Sequence, residues 1–127
     1  MLGKTQTTTM LPVVDLERAR RFYTQVLGLQ EGRRGEDGSL ELSTETGGRV
    51  ALYPREPTKA DHTVLSFEVQ EIIKVVRDLE GRGVKFEEYD LPQLKTVDKI
   101  ATTGRDKAAW FKDTEENILC VHEAVPG

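Results

Sequence analysis

Cysteine occurs once in 127 residues, at Cys120, and histidine only twice, at His62 and His122. A single thiol excludes an intramolecular disulfide and a cysteine-rich zinc site, so a metal centre would have to draw on imidazole and carboxylate. No apolar run approaches the roughly 20 residues of a bilayer-spanning helix, and the opening MLGKTQTTTM lacks the apolar stretch of a signal peptide. A cytoplasmic protein with no membrane partner is expected. Surplus positive charge is missing as well: 18 Lys and Arg stand against 22 Asp and Glu, for a formal net charge of -4. That balance offers no footprint for a nucleic-acid backbone. Phosphate-cradling loops are absent too, because GRRGEDG and TGG lack a strand-to-helix context and read as turns.

What the chain does contain is a pattern that occurs twice. The length suits one domain over 1–127. From Thr5 to Val14, β-branched residues indicate a strand. Asp15 is placed to cap LERARRFYTQVLGL, where Leu16, Ala19, Phe22, Tyr23 and Val26 recur at helical spacing, and Gly28 ends that helix. Strand candidates follow around 31–34, 39–44 and 49–53, split by EDG and TGG. After a linker from Pro54 to Asp61 the order recurs as strand HTVLSFEV, helix QEIIKVVRDLEGRG, strand VKFEEY, then AAWFKD and NILCVHE. The expected fold class is α+β, with two β-α-β-β-β modules at about 5–54 and about 61–123. TMLPVVDLERA aligns with LSFEVQEIIKV, setting Leu11 on Phe67 and Val13 on Val69, while TGGRVALY lies on TEENILCV. The offset grows between these points, which assigns an insertion to DLPQLKTVDKIATTG, read as an irregular loop of the kind used for lids or ligand contacts.

At this level the sequence resembles a known family. LPVVDLERARRFYTQVLGL is similar to the opening of the vicinal oxygen chelate superfamily, the glyoxalase, bleomycin-resistance and extradiol-dioxygenase group, and WFKDTEENIL resembles its closing hairpin. Where that family usually reads Asp-Pro-Asp-Gly-Asn, this chain has DTEEN and keeps Asp113 and Asn117. The resemblance covers essentially the whole chain. It implies modules whose mixed sheets curve around a shared cleft, often completed by a second subunit, so a homodimer is expected.

Strand alternation separates the faces. Leu11 and Val13 share one side of the first strand, and Thr8, Met10 and Pro12 the other. Leu65, Phe67 and Val69 form an apolar face opposite Val64, Ser66 and Glu68, and the mixed face is expected to line the cleft. Lys112 is a poor candidate for burial under a helix, so Trp110, which shares its parity, is assigned to the cleft and Phe111 to the core. On the last strand Ile118, Cys120 and His122 lie together.

Metal sites in the resembled family take one ligand from each of four strands, and the aligned positions here are Thr8, Leu52, Val64 and Cys120. A hydroxyl, two aliphatic side chains and a thiol do not make the His, Glu and Gln set that binds Zn, Mn, Ni or Fe, so no metal and no cofactor is expected. The histidines do not compensate. His62 and His122 shift in opposite directions along parallel neighbours, which separates their imidazoles by about 13 Å.

The expected ligand site is therefore an apolar floor of Met10, Leu52, Val64 and Cys120, with Trp110 as a stacking plate and Ser66, Glu68 and His62 as polar anchors. For His62, beside Asp61 at a strand start, a surface role is the competing reading, and for Trp110 it is packing. Cys120 and His122 stand about 7 Å apart along the strand, which favours packing over a thiolate–imidazolium pair. Two functions follow. The first is metal-independent binding of a hydrophobic or planar small molecule, with Glu68 favouring neutral or cationic ligands. The alternative is a metal-dependent lyase, isomerase or dioxygenase of the resembled family.

Overall fold

The computed structural model describes residues 1–104 and 106–124, the side chain of Ala124 excepted. The chain divides into two compact units, Met1–Lys59 and Ala60–Gly127.

In the first unit a single 3-10 turn, Leu2–Lys4, precedes β1 (Thr9–Val13), α1 (Leu16–Arg21), β2 (Gln30–Arg34), β3 (Leu40–Ser43) and β4 (Arg49–Pro54). Asp15 opens α1 by accepting a hydrogen bond from the Arg18 amide at 3.0 Å, which satisfies one of the helix's free N–H groups. The helical spacing read from the sequence continues past Arg21, but there the winding loosens into a π-helical turn, Phe22–Val26, closed by the Leu27 amide on the Phe22 carbonyl at 3.1 Å. Gly28, at φ +82°, stops it, a conformation that costs other residues about 1–2 kcal/mol. The strands order as β1-β4-β3-β2, with β1 parallel to β4 and the others antiparallel. One sheet face carries the core: Leu11, Val13, Leu40, Leu42, Val50 and Leu52 are buried with Ala19 and Tyr23. The edge strand β2, QEGRR, is exposed throughout, and its charges blunt the unpaired edge. Arg20 of α1 ties to it through Glu31 at 3.1 Å.

The second unit repeats the parallel start. It comprises β5 (Thr63–Glu68), α2 (Ile72–Gly81), β6 (Asp90–Leu91), β7 (Leu94–Val97), β8 (Ile100–Thr103), β9 (Asp106–Lys112) and β10 (Ile118–Ala124). The sheet runs β5-β10-β9-β8-β7-β6, with β5 parallel to β10. Leu119, Val121, Ala109 and Phe111 are buried with Ile72 and Val76 of α2. No local residue caps α2, because Glu71 sits in the left-handed region at φ 53°. Instead the Glu123 carboxylate reaches across from β10 and accepts the Ile72 amide at 2.7 Å.

Two sequence expectations need correction here. VKFEEY forms no strand: the segment contributes a single antiparallel bridge, Phe86 to Phe111, and the Glu87 amide donates to the Trp110 carbonyl at 2.7 Å. The stretch 90–104 is no irregular loop either, since β6, β7 and β8 arise within it and β8 takes the edge of β9 from Asp106 to Ala108. The two observations are one: β8 occupies the lower half of the β9 edge, leaving room for only a bridge above it. Phe86 and Phe111 meet there at 5.3 Å between ring centroids, a contact of about 0.5–1.5 kcal/mol beyond its area.

Candidate functional site

The β5–β10–β9 face opposite α2 gathers most of the residues that carry chemistry. Register fixes who meets whom: Cys120 lies between Ser66 and Trp110, and His122 between Glu68 and Ala108. Ser66 Oγ and His122 Nδ1 are 2.5 Å apart. The other ring nitrogen, Nε2, is 3.8 Å from Glu68 Oε1. A hydroxyl, an imidazole and a carboxylate thus stand in line, with Glu68 largely open to solvent and His122 about one-third exposed.

Beside this row sits an aromatic pair. Trp110 and Tyr89 pack edge to face at 5.6 Å and 86°, the arrangement ring quadrupoles prefer. The indole Nε1–H donates to Thr63 Oγ1 at 3.1 Å, and Tyr89 is held through its amide, which donates to Thr96 Oγ1 at 2.9 Å. Thr63 reaches this face because the pairing of β10 jumps from Thr63 to Leu65. Val64 is the extra residue of a bulge, and bulges re-aim their neighbours. Strict alternation would have turned Thr63 away.

Cys120 is only 5% exposed. Burial, the largest influence, pushes its thiol pKa up, and its Sγ–H points to the Val121 carbonyl at 3.4 Å. A raised pKa leaves little thiolate at neutral pH, so Cys120 is part of the floor rather than a nucleophile.

Of the residues singled out in the sequence, Val64, Ser66, Glu68, Trp110 and Cys120 belong to β5, β9 and β10. His62 does not join them: its Nδ1 lies 2.8 Å from Asp61 Oδ1, and the pair is open to solvent. In the first unit Met10 and Leu52 part company. Register pairs Met10 with Ala51 and Leu11 with Leu52, so Met10 is 54% exposed and Leu52 fully buried. Leu52 therefore belongs to the core, not to a ligand floor, since a one-residue change of register reverses the face. The row through Met10 and Ala51 ends on Glu41 of β3, a carboxylate the sequence pattern did not single out. His122, Tyr89 and Thr63 were likewise outside the expected site. Only His122 had a sequence signal, its parity with Cys120.

The chain belongs to the Glyoxalase/Bleomycin resistance protein/Dioxygenase superfamily, whose family model matches residues 5–121. Its fold is shared with solved structures of low identity. An antibiotic-binding protein from a Streptomyces species is 18% identical, with 98% of each chain covered and a TM-score of 0.76. A genomically encoded fosfomycin-resistance protein of Listeria monocytogenes is 13% identical, with 96% of this chain and 92% of that chain covered and a TM-score of 0.73. A nonribosomal peptide synthetase of Fusarium vanettenii is 32% identical across 78% of this chain, and the match spans 2% of that much longer protein.

Metal-dependent members of this superfamily raise the question of a metal here. The resemblance assigns its ligand positions to Thr8, Leu52, Val64 and Cys120; register turns Leu52 into the core and brings Ala51 beside Met10 in its place, so the set holds a hydroxyl, a methyl, an isopropyl group and one thiol. Among the described residues no three His, Cys, Asp or Glu side chains gather as a cation site. This donor set does not fit a divalent transition metal.

Proposed function

We propose that this protein binds a small organic molecule without a metal, on the Trp110 face of the second unit. The observation that carries the reading is the pairing on one sheet face of an edge-to-face Trp110–Tyr89 couple with the Ser66–His122–Glu68 row. Small-molecule sites are mostly apolar with a few fixed polar groups, and these side chains supply both. A planar, hydrophobic ligand is favoured by the rings. Neutral or cationic character is favoured by Glu68, against which an anion would lose hydration without gaining an opposite charge. Resistance and antibiotic binding, named for the Listeria and Streptomyces proteins, give a first set of compounds to screen.

Trp110 is the sole tryptophan, so its emission reads out binding. Titration of planar amine-bearing compounds should quench it with micromolar affinity, about 8 kcal/mol. Trp110→Phe and Glu68→Gln should each weaken the interaction, followed by calorimetry for the first. Affinity unchanged in both variants overturns this site.

A homodimer and a cytoplasmic setting belong to the same proposal. Exposed Met10 and Val14 in the first unit support self-association, and a lone buried free thiol suits a reducing compartment. Light scattering at micromolar concentration tests the first.

A further inference from the structure

On the other face of the second unit's sheet, α2 covers only part of the surface. Beyond its reach a groove of about 680 Å3 opens between α2 and β7, β8 and β9, a size typical of small-molecule sites. Ile73, Val97 and Ile100 give it an apolar surface, and Ile73 and Val97 are 49% and 69% exposed. Four cations, Arg77, Lys95, Lys99 and Lys107, line it against two acids, Glu80 and Asp98. This local positive excess stands on a chain whose formal net charge is -4.

The four cations are not equivalent. Lys95 lies 3.9 Å from Asp90 and Lys99 lies 3.7 Å from Glu88. Arg77 and Lys107 have no ion-pair partner among the described residues. They also line an adjoining hollow of about 420 Å3 with Lys74, Glu71 and Glu123, where the Glu123 carboxylate is engaged by the Ile72 amide. Lys107 also stands opposite Glu123 across β9 and β10, so the positive character is a net excess of the lining, four cations against two acids. Beside exposed aliphatic surface it selects a ligand with both features, because each half then finds its complement.

We propose that this groove is a second ligand site, separate from the Trp110 face, for an amphipathic anion. Its apolar part lies over Ile73, Val97 and Ile100, and its carboxylate or phosphate lies at Arg77 and Lys107. A cationic amphiphile is rejected by the same charges.

Isothermal titration calorimetry with dodecanoate, dodecyl phosphate and dodecyltrimethylammonium, each below its micelle concentration, tests this. One or both anions should bind saturably at one site per chain, the stronger of the two identifying the head group, and the ammonium compound should not bind. The double variant Arg77→Gln, Lys107→Gln should weaken anion binding tenfold or more while keeping the wild-type melting curve. Lys85→Gln, which removes an exposed cation outside the groove, should leave it unchanged. Absence of anion binding, equal binding of the ammonium compound, or undiminished binding in the double variant overturns the proposal. Trp110 quenching by a separate planar ligand is independent of every one of these results.

Discussion

Ser66 and His122, 56 residues apart in sequence, meet across β5 and β10 with Oγ and Nδ1 2.5 Å apart. Parallel pairing sets Ser66 opposite Cys120 and Glu68 opposite His122 on one sheet face, so Ser66 and His122 meet diagonally across the two strands. The same imidazole presents Nε2 to Glu68 at 3.8 Å. Its two nitrogens therefore face a hydroxyl and a carboxylate.

That geometry predicts a tautomer. A carboxylate accepts only, so the nitrogen facing Glu68 is the one expected to carry the proton, and Nδ1 then accepts from the Ser66 hydroxyl. Nitrogen NMR of the neutral ring should show His122 as the Nε2–H form. Ser66→Ala should shift the population toward Nδ1–H and cost about 1 kcal/mol of stability. A wild-type protein in the Nδ1–H form would mean that Ser66 is the acceptor and the row is oriented the other way.

Cys120 gives a pH dependence with a definite sign. Burial, its first cause, raises the thiol pKa above the ordinary 9.0. The native state then holds this proton more tightly than the unfolded chain does, so the contribution is fully present below 9.0 and is lost as pH rises toward the folded value. Tyr89, raised first by burial and then by Glu87, adds a loss of the same sign beginning above 10.0. Urea midpoints measured from neutral to alkaline pH should fall, and Cys120→Ala should flatten the first part of the fall. Native Cys120 should also react with thiol reagents roughly tenfold or more slowly than the unfolded chain.

Much of this was legible in the sequence, and the failures have particular causes. Asp15, Gly28, the repeated β-α start and the parity of Trp110 and Phe111 all depend on local chemistry or on a period, and both survive folding. Leu52 was lost because alignment to a family position was set above the strand's own alternation, which groups Val50 with Leu52. Thr63 was lost to a bulge, which no composition announces. The β7–β8 hairpin was invisible because its two-residue turn is Asp98–Lys99, without the Asn or Gly such turns usually carry. Ser66–His122 needed the register of two strands 56 residues apart, and a pattern in one strand does not contain it.

The β9–β10 turn is expected to be a point of fragility. Asp113 is buried and accepts the amides of Glu115 at 2.7 Å and Asn117 at 2.8 Å, with the Asn117 side chain at 2.8 Å as well. Asp113→Ala leaves those donors without their acceptor, at a cost of about 2–4 kcal/mol, read as a drop in denaturation midpoint. Glu116 stands where the family's usual hairpin has Gly, and its φ is 69°. Glu116→Gly gives up an exposed ion pair with Lys112 at 3.5 Å. Such pairs contribute about 0–1 kcal/mol, and the left-handed strain about 1–2 kcal/mol, so net stabilisation is expected.

The tip of the β7–β8 hairpin separates stability from the proposed anion site. Val97 pairs with Ile100, so Asp98 and Lys99 form the whole loop, and both have positive φ, 52° and 74°. A two-residue turn needs this conformation to match the twist of its strands, yet neither residue adopts it without strain. Lys99 is the costlier of the two, because its side chain offers none of the local hydrogen bonding that lets Asp tolerate the region. Lys99→Gly should therefore raise stability by about 1 kcal/mol, the 3.7 Å contact with exposed Glu88 being a smaller loss. Thermal denaturation should show an increase of a few degrees. The same change removes one ammonium from the groove, and dodecanoate or dodecyl phosphate affinity should fall a few-fold while melting temperature rises. A gain in stability with anion affinity unchanged would show that Lys99 serves only the turn and would confine the anion contact to Arg77 and Lys107. A loss of stability would mean that the strain assigned to Lys99 is outweighed by its contacts.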